Sequence, residues 1–221
     1  MCSFKKSARV AGALFIIAMF ASLGGGFLIS GVISSANNFA VTTENRAALI
    51  TGILLELVNA VCVVGIAALL APVLRRTSET AADWYLSIRT CEAVACAMIV
   101  LAPLALLYFE GPQNIGANAA AEMLFAVRTG VSNALIPLFF FLGAGVLYLR
   151  LYSTRIVPRY ISVWGLGAVI LAFAANAIGL IWPSLLGMGP QMALVLPMIL
   201  NELFLGGWLI VKGFSESVTN K

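Results

Sequence analysis

Hydrophobic residues run in long blocks along the chain, separated by short polar stretches. Each block is long enough, at roughly 1.5 Å per residue of α-helix, to span a hydrocarbon layer of about 30 Å. The apolar residues surround each predicted helix on all sides, as is typical of helices in a bilayer. The pattern predicts an all-α, polytopic transmembrane helical bundle of about six spans, at residues 10–34, 47–74, 84–109, 121–149, 160–182 and 191–213.

The connections between these blocks predict the orientation of the bundle. None exceeds about a dozen residues, so residues 1–221 are expected to form a single transmembrane domain without a soluble domain. Basic residues follow the even-numbered spans, as at 75–76 and 150–159, whereas the connection after the third span has none. Because Lys and Arg collect in cytoplasmic loops, we expect both termini to be cytoplasmic.

The composition supports a membrane location. The chain is 62% hydrophobic and only 10% charged, whereas soluble domains are about 25% charged; its mean hydropathy is +1.03. A surface of this kind requires the lipid bilayer as its partner. The net charge of +4 is explained by basic cytoplasmic loops, and no basic patch with interleaved aromatic residues indicates nucleic acid.

Polar side chains inside the predicted spans are the candidate functional residues. An ionisable group there costs about 3 kcal/mol on insertion scales, so it needs a reason to be present. A spacing of three places Glu56 with Asn59, and Arg89 with Glu92, on shared helical faces. The candidate intramembrane polar site comprises Glu56, Asn59, Arg89, Glu92, Arg128, Asn201 and Glu202.

Depth within the spans suggests how these groups pair. Glu56 and Arg128 lie at similar depth, which predicts a bridge between them, and Arg89 is within reach of Glu92 or Glu202. Three carboxylates against two guanidinium groups leave one carboxylate without a cation, and desolvation favours the neutral form of such a group. We expect Glu202 to be that carboxylate, able to carry a proton or to coordinate a solute.

The residues that the sequence lacks exclude several classes of enzyme. There is no histidine, which removes HExxH zinc proteases, Ser–His hydrolases and histidine-ligated haem. No phosphate-binding GxxxxGK[ST] loop is present. Cys91 and Cys96 point in different directions on a helix, so we predict no metal, no cofactor and no catalytic residue. Enzymatic activity is not favoured, although carboxylate chemistry stays open.

Small residues recur at four-residue intervals along the first span. A strip of this kind lets another helix approach closely. Packing within the chain is favoured, and the alternative is a homo-oligomer face. The strip comprises Ala18, Ser22, Gly26, Ser30 and Ser34.

Basic residues near the predicted cytoplasmic ends form what we call the basic collar. They are explained by topology and by attraction to anionic lipid headgroups, worth about 1 kcal/mol per residue near the surface. The basic collar comprises Arg75, Arg76, Arg150, Arg155 and Arg159.

Several segments carry a family resemblance. They are residues 5–12, 55–59, 64–76 and 85–92, and, most specifically, IVPRYISVWGL at 156–166 and LNELFLGGWLIVKGF at 200–214. Together they resemble the prokaryotic membrane family catalogued as domain of unknown function 4386 (DUF4386), over essentially the whole chain. The resemblance implies a multi-pass protein of a prokaryotic plasma membrane, and it implies no activity and no catalytic residue.

The sequence thus predicts an integral membrane protein of unknown activity and leaves two functions open. One is a pathway for a small solute, an ion or a proton through the intramembrane polar site. The alternative is a non-catalytic membrane partner or sensor that binds lipid or another membrane protein. A wet cavity that joins the mid-span polar groups to one side of the membrane would favour the pathway, and a dry bundle would favour the partner.

Overall fold

The computed structural model describes residues 2–35, 43–108, 115–182, 184–185 and 187–214, and within these ranges it is helical without strands. The predicted connections at 36–42 and 109–114 lie outside the described residues. The helices are α1 (Cys2–Ser35), α2 (Thr43–Arg75), α3 (Glu79–Met98), α4 (Leu101–Leu107), α5 (Ile115–Gly130), α6 (Ile136–Thr154), α7 (Arg159–Ile181) and α8 (Met188–Val211).

Six helical stretches of the described chain are long and apolar enough to cross a membrane, which confirms the predicted all-α fold with six span-like elements. Their bounds lie within a few residues of the predicted ones at most ends. They are Phe4–Ile33, Asn45–Arg75, Glu79–Leu107, Ala119–Thr154, Arg159–Ile181 and Gly189–Val211.

Two of these stretches are interrupted, each close to a proline. The third was predicted as one helix over 84–109, but α3 ends at Met98 and α4 begins at Leu101. The fourth contains a π-helical segment, Val131–Leu135, between α5 and α6, where the sequence predicts a kink at Pro137. A proline has no N–H to donate to the carbonyl four residues earlier, and π-helical segments often occur at functional sites.

The span-like stretches pack as a ring. Going round it, α1 packs on α2, α2 on α3, α3 on α6, α6 on α7, α7 on α8, and α8 on α1. Gly12 and Gly206 make the last contact, because a Cβ atom added at Gly206 would lie 3.1 Å from the Gly12 carbonyl oxygen. Glycine at such positions lets two helix backbones approach closely.

The largest cluster of buried apolar side chains in the described chain lies at the end of the ring where α1 starts and α8 ends. We call this the terminal end and the opposite one the far end, where a smaller apolar cluster includes Ile29, Leu49 and Val100. Van der Waals packing of the side chains in the larger cluster holds the six stretches together at the terminal end. Large fully or nearly fully buried members of the cluster include Phe15, Ile66, Leu70, Leu74, Leu147, Leu151, Leu205 and Leu209.

Candidate functional site

Glu56 on α2 and Arg128 on α5 form a two-pronged ion pair. Arg128 Nη2 lies 2.5 Å from Glu56 Oε1, and Nη1 lies 2.8 Å from Oε2. The Arg128 side chain is only 13% exposed, and the Glu56 side chain only 6%. A planar guanidinium group matches a carboxylate in this parallel arrangement, which makes the pair both strong and directional. The bridge predicted from equal depth is therefore present.

Arg128 also satisfies a carbonyl that a proline leaves without its helical partner. Its Nη1 donates to the Ile99 carbonyl at the break between α3 and α4. The usual donor to that oxygen is the N–H four residues later, and Pro103 has none. One guanidinium group thus ties α2, α5 and the α3–α4 break together. The sequence analysis missed this role. Its signal is Pro103, which lies four residues after Ile99 and cannot donate to the Ile99 carbonyl.

Asn176 of α7 likewise donates to a carbonyl that a proline leaves without its helical donor, at the π-helical segment. Its Nδ2 donates to the Asn133 carbonyl at 3.2 Å. Pro137 cannot donate to this oxygen, so the amide from the neighbouring helix replaces the missing bond. The irregular fourth stretch is therefore held by a polar contact with the neighbouring helix α7. The candidate site predicted from the sequence did not include Asn176.

Arg89 and Glu92 pair within α3. Arg89 Nη1 lies 2.8 Å from Glu92 Oε2, and both side chains are almost completely buried. The Arg89 guanidinium lies 5.8 Å from the centre of the Phe140 ring, a cation–π arrangement. Gly143 on α6 makes room for it, because an added Cβ atom would lie 2.9 Å from Arg89 Cδ.

Glu202 on α8 is left as the third carboxylate. Of the two partners open to Arg89, the structure selects Glu92. Within the described part of the chain Glu202 forms no ion pair, and it lies in a cavity beside Arg89 and Glu92. Its neighbour Asn201 faces elsewhere: it is fully buried, and its Nδ2 donates to the Ile161 carbonyl of α7 at 3.1 Å. Asn201 therefore joins two helices instead of accompanying Glu202.

Two cavities lie inside the ring. The far cavity, of about 410 Å³, contains the Glu56–Arg128 pair and further hydroxyl and amide side chains. The middle cavity, of about 190 Å³, contains Glu202 and the Arg89–Glu92 pair. Either is large enough for several waters, which occupy about 30 Å³ each. The two cavities adjoin, because four residues line both of them: Ser22, Asn59, Cys96 and Ile136.

Asn59 stands at this junction. Its Nδ2 lies 3.7 Å from the Cys96 sulfur, a weak contact that leaves most of the amide's hydrogen-bonding capacity to the cavities. Cys62 and Cys96 are buried free thiols, and Cys91 is exposed. No group of three or more acidic or cysteine side chains that could hold a metal occurs among the described residues.

The small-residue strip of α1 forms one wall of the far cavity. Ser22, Gly26 and Ser30 line it, and a Cβ atom added at Gly26 would meet no atom within 4 Å. At Gly26, therefore, no helix of the described chain packs against the strip, whereas packing within the chain was the favoured interpretation. Ala18 is buried in the ring, and the side chain of Ser34 lies outside the described ones. Close packing of α1 uses other glycines, among them Gly12.

Buried polar atoms continue from the middle cavity toward the terminal end. The Tyr85 hydroxyl, the Tyr148 hydroxyl and the Ser162 hydroxyl are buried without a hydrogen-bond partner in the described structure. Tyr85 lies one helical turn from Arg89. Buried polar groups are normally satisfied by protein or by ordered water. The sequence analysis missed both tyrosines, because in an apolar span a tyrosine is read first as a hydrophobic residue.

Comparison with known proteins identifies the family. A family model described as domain of unknown function (DUF4386) matches residues 10–213. The chain belongs to this family. No curated protein matches the sequence, and no solved structure matches it either.

In this DUF4386 protein the match includes all the residues of the predicted site, and the structure divides them by place. Glu56, Asn59 and Arg128 line the far cavity. Asn59 also lines the middle cavity, together with Arg89, Glu92 and Glu202. Asn201 lies apart, as described above.

Proposed function

We propose that this DUF4386 protein is a multi-pass membrane protein that provides a pathway for a small cation or a proton, with Glu202 as its binding residue. The observation that supports this is a pair of adjoining cavities, the inner of which contains a carboxylate that has no ion-pair partner in the described chain. It favours the pathway over the alternative of a non-catalytic partner or sensor, because a purely structural bundle has no need of adjoining interior cavities lined by charged groups.

The charges of the cavities select the kind of solute. Two guanidinium groups and three carboxylates line them, and the two ion pairs account for both cations. An uncompensated charge within an apolar surrounding is costly, so the third carboxylate recruits a proton or a small cation. An anion would meet an excess of negative charge at the same place.

The route begins in the far half of the ring. Ser22, Ser30 and Thr129 line the far cavity and have exposed side chains. In the proposed pathway a solute enters there and exchanges hydration water for hydroxyl and amide oxygens. Beyond Glu202 the apolar cluster of the terminal end bars the way. Passage requires this half to open. The α3–α4 break and the π-helical segment are the points at which the ring helices would bend.

Replacement of Glu202 tests the pathway. We expect purified protein in liposomes to conduct protons, Na⁺ or K⁺ down an imposed gradient, reported by pH- or cation-sensitive dyes inside the vesicles. Glu202→Gln removes the charge while keeping the shape of the side chain, and the flux is expected to fall to background. Glu122→Gln, the same change at an exposed position of α5, is expected to keep the wild-type flux.

Two results would overturn the proposal. Wild-type protein that conducts none of the three ions would favour a partner or sensor instead. Equal flux in wild type and Glu202→Gln would remove Glu202 from the pathway.

We further propose that the protein lies in a prokaryotic plasma membrane with both termini cytoplasmic. The support is the gathering of exposed basic residues at the terminal end, including Arg75, Arg155 and Lys212. The far half, where the cavity is accessible, would then face outward.

Cysteine labelling tests this topology in a variant whose native cysteines are replaced by alanine. Cysteines at Ala119 and Gly187, near the far end, are expected to react with a membrane-impermeant maleimide in intact cells or spheroplasts. Cysteines at Thr80 and Ser153, near the terminal end, are expected to react only after permeabilisation. All four positions are exposed. The reverse pattern would mean that the orientation argument is wrong.

A further inference from the structure

A third cavity, of about 470 Å³, lies at the terminal end where α6 ends, α7 begins and α8 ends. It is separate from the cavities of the proposed pathway. Among the described residues three cationic side chains line it, from Arg155, Arg159 and Lys212, and no carboxylate does. Trp208 forms part of its wall. We call it the basic pocket.

Two residues with positive φ lie at or next to these cations. Arg155 ends α6 with φ 55°, and it is the one non-glycine residue with positive φ in the described chain. Such a conformation costs roughly 1 kcal/mol or more and tends to occur at functional sites. Gly213, with φ 73°, turns the chain directly after Lys212. The first turn of α7, whose N-cap residue Pro158 provides no side-chain bond, adds a positive helix end to the wall.

The arginines of the basic collar have different surroundings. Arg75 forms an ion pair with Asp83, and the Arg76 guanidinium lies 4.2 Å from the centre of the Phe4 ring. Arg159 stacks on Tyr152, 5.1 Å from the ring centre, which fixes its guanidinium at the pocket while leaving its donors available. The collar is therefore not a uniform band, because Arg155 and Arg159 line a concave site whose charged side chains, among the described residues, are all cationic.

A stripe of aromatic side chains leads from the basic pocket along the groove between α7 and α8. Its rings touch in sequence: Trp208 and Tyr160 at 6.4 Å between centroids, Tyr160 and Phe204 at 6.2 Å, Phe204 and Trp164 at 6.0 Å. Tyr160 is 55% exposed and Phe204 42%. Tryptophan and tyrosine gather where a membrane meets water, with their rings toward the hydrocarbon. We call these four residues the aromatic stripe.

We infer that the basic pocket binds the phosphate of an anionic phospholipid, with an acyl chain of that lipid lying along the aromatic stripe. Arginine forks recognise phosphate oxygens through paired hydrogen bonds, and a lysine adds a point charge. The same cations would attract free phosphate, but only a lipid also uses the stripe. The site requires neither Glu202 nor the pathway, so the two proposals stand or fall separately.

Lipid binding by the wild-type protein is the primary test. Native mass spectrometry of detergent-solubilised protein, titrated with phosphatidylglycerol or with phosphatidylcholine, measures each affinity. We expect phosphatidylglycerol to bind roughly tenfold more tightly or better, since several basic residues each contribute to the attraction. Millimolar inorganic phosphate should not displace it. Equal affinity for the two lipids, or full displacement by inorganic phosphate, would overturn the inference; displacement would indicate a site for a soluble anion.

Matched variants then locate the site. Arg155→Gln with Arg159→Gln is expected to abolish the preference for phosphatidylglycerol, whereas Arg75→Gln with Arg76→Gln, the same change elsewhere on the collar, should keep it. Phe204→Ala should weaken the binding of both lipids without changing the preference for phosphatidylglycerol. If the two arginine double variants lost this preference to the same extent, the whole collar would attract lipid and the basic pocket would not be a distinct site.

Discussion

Replacing Glu56 with glutamine is expected to lower the free energy of unfolding by about 3–5 kcal/mol, because Arg128 then keeps a buried charge without its carboxylate. Arg128→Met is expected to cost more than Glu56→Gln, since it leaves both the Glu56 carboxylate and the Ile99 carbonyl without their donor. Unfolding by denaturant in detergent micelles, followed by circular dichroism, measures both.

The double variant shows whether the two groups act as a pair. We expect its loss of stability to be smaller than the sum of the two single losses, with a coupling of at least about 1 kcal/mol. The ion pair of Arg75 with Asp83, whose side chains are 51% and 60% exposed, is the matched control. Removing either of its partners should cost no more than about 1 kcal/mol. Strict additivity at Glu56 and Arg128 would contradict the observed bridge.

Gly12→Val is expected to destabilise the protein by roughly 1–3 kcal/mol or more, because it forces α1 away from α8. An added Cβ atom would overlap the Gly206 carbonyl oxygen and lie 2.9 Å from Ile210 Cγ1. Because the Gly206 oxygen is a backbone atom, no side-chain rotation relieves this overlap.

Gly31→Val provides the comparison for this substitution. It makes the same change on the same helix, at a position where an added Cβ atom meets no atom of the described residues within 4 Å. Thermal unfolding in detergent should show a lower midpoint for Gly12→Val than for Gly31→Val. Similar midpoints would mean that the packing of α1 against α8 does not depend on the close contact at Gly12.

Much of the fold could be predicted from the sequence because the six apolar blocks are long and their boundaries are polar. The pairing of Arg89 with Glu92 could also be predicted, since a spacing of three fixes their common face. The order of helices around the ring could not. A helix in lipid is apolar on every side, so its hydrophobic pattern does not identify the face that a neighbour covers.

The polar interior was harder to predict for a different reason. The strip at Ser22, Gly26 and Ser30 has the spacing of a helix contact, yet it lines a cavity. Small residues serve both purposes, and only the positions of the other helices distinguish them. The roles of Arg128 and Asn176 at freed carbonyls depend on two prolines whose effects on the backbone are local, while their compensating donors come from distant parts of the chain.

The contact between α1 and α8 also has a consequence for how the molecule is made. The wall beside Glu202 is contributed by the helix that is synthesised last among those described, and it packs against the one synthesised first. Until α8 has left the ribosome, the Gly12 face of α1 has no partner helix from the described chain to cover it, and the cavity beside Glu202 stays incomplete.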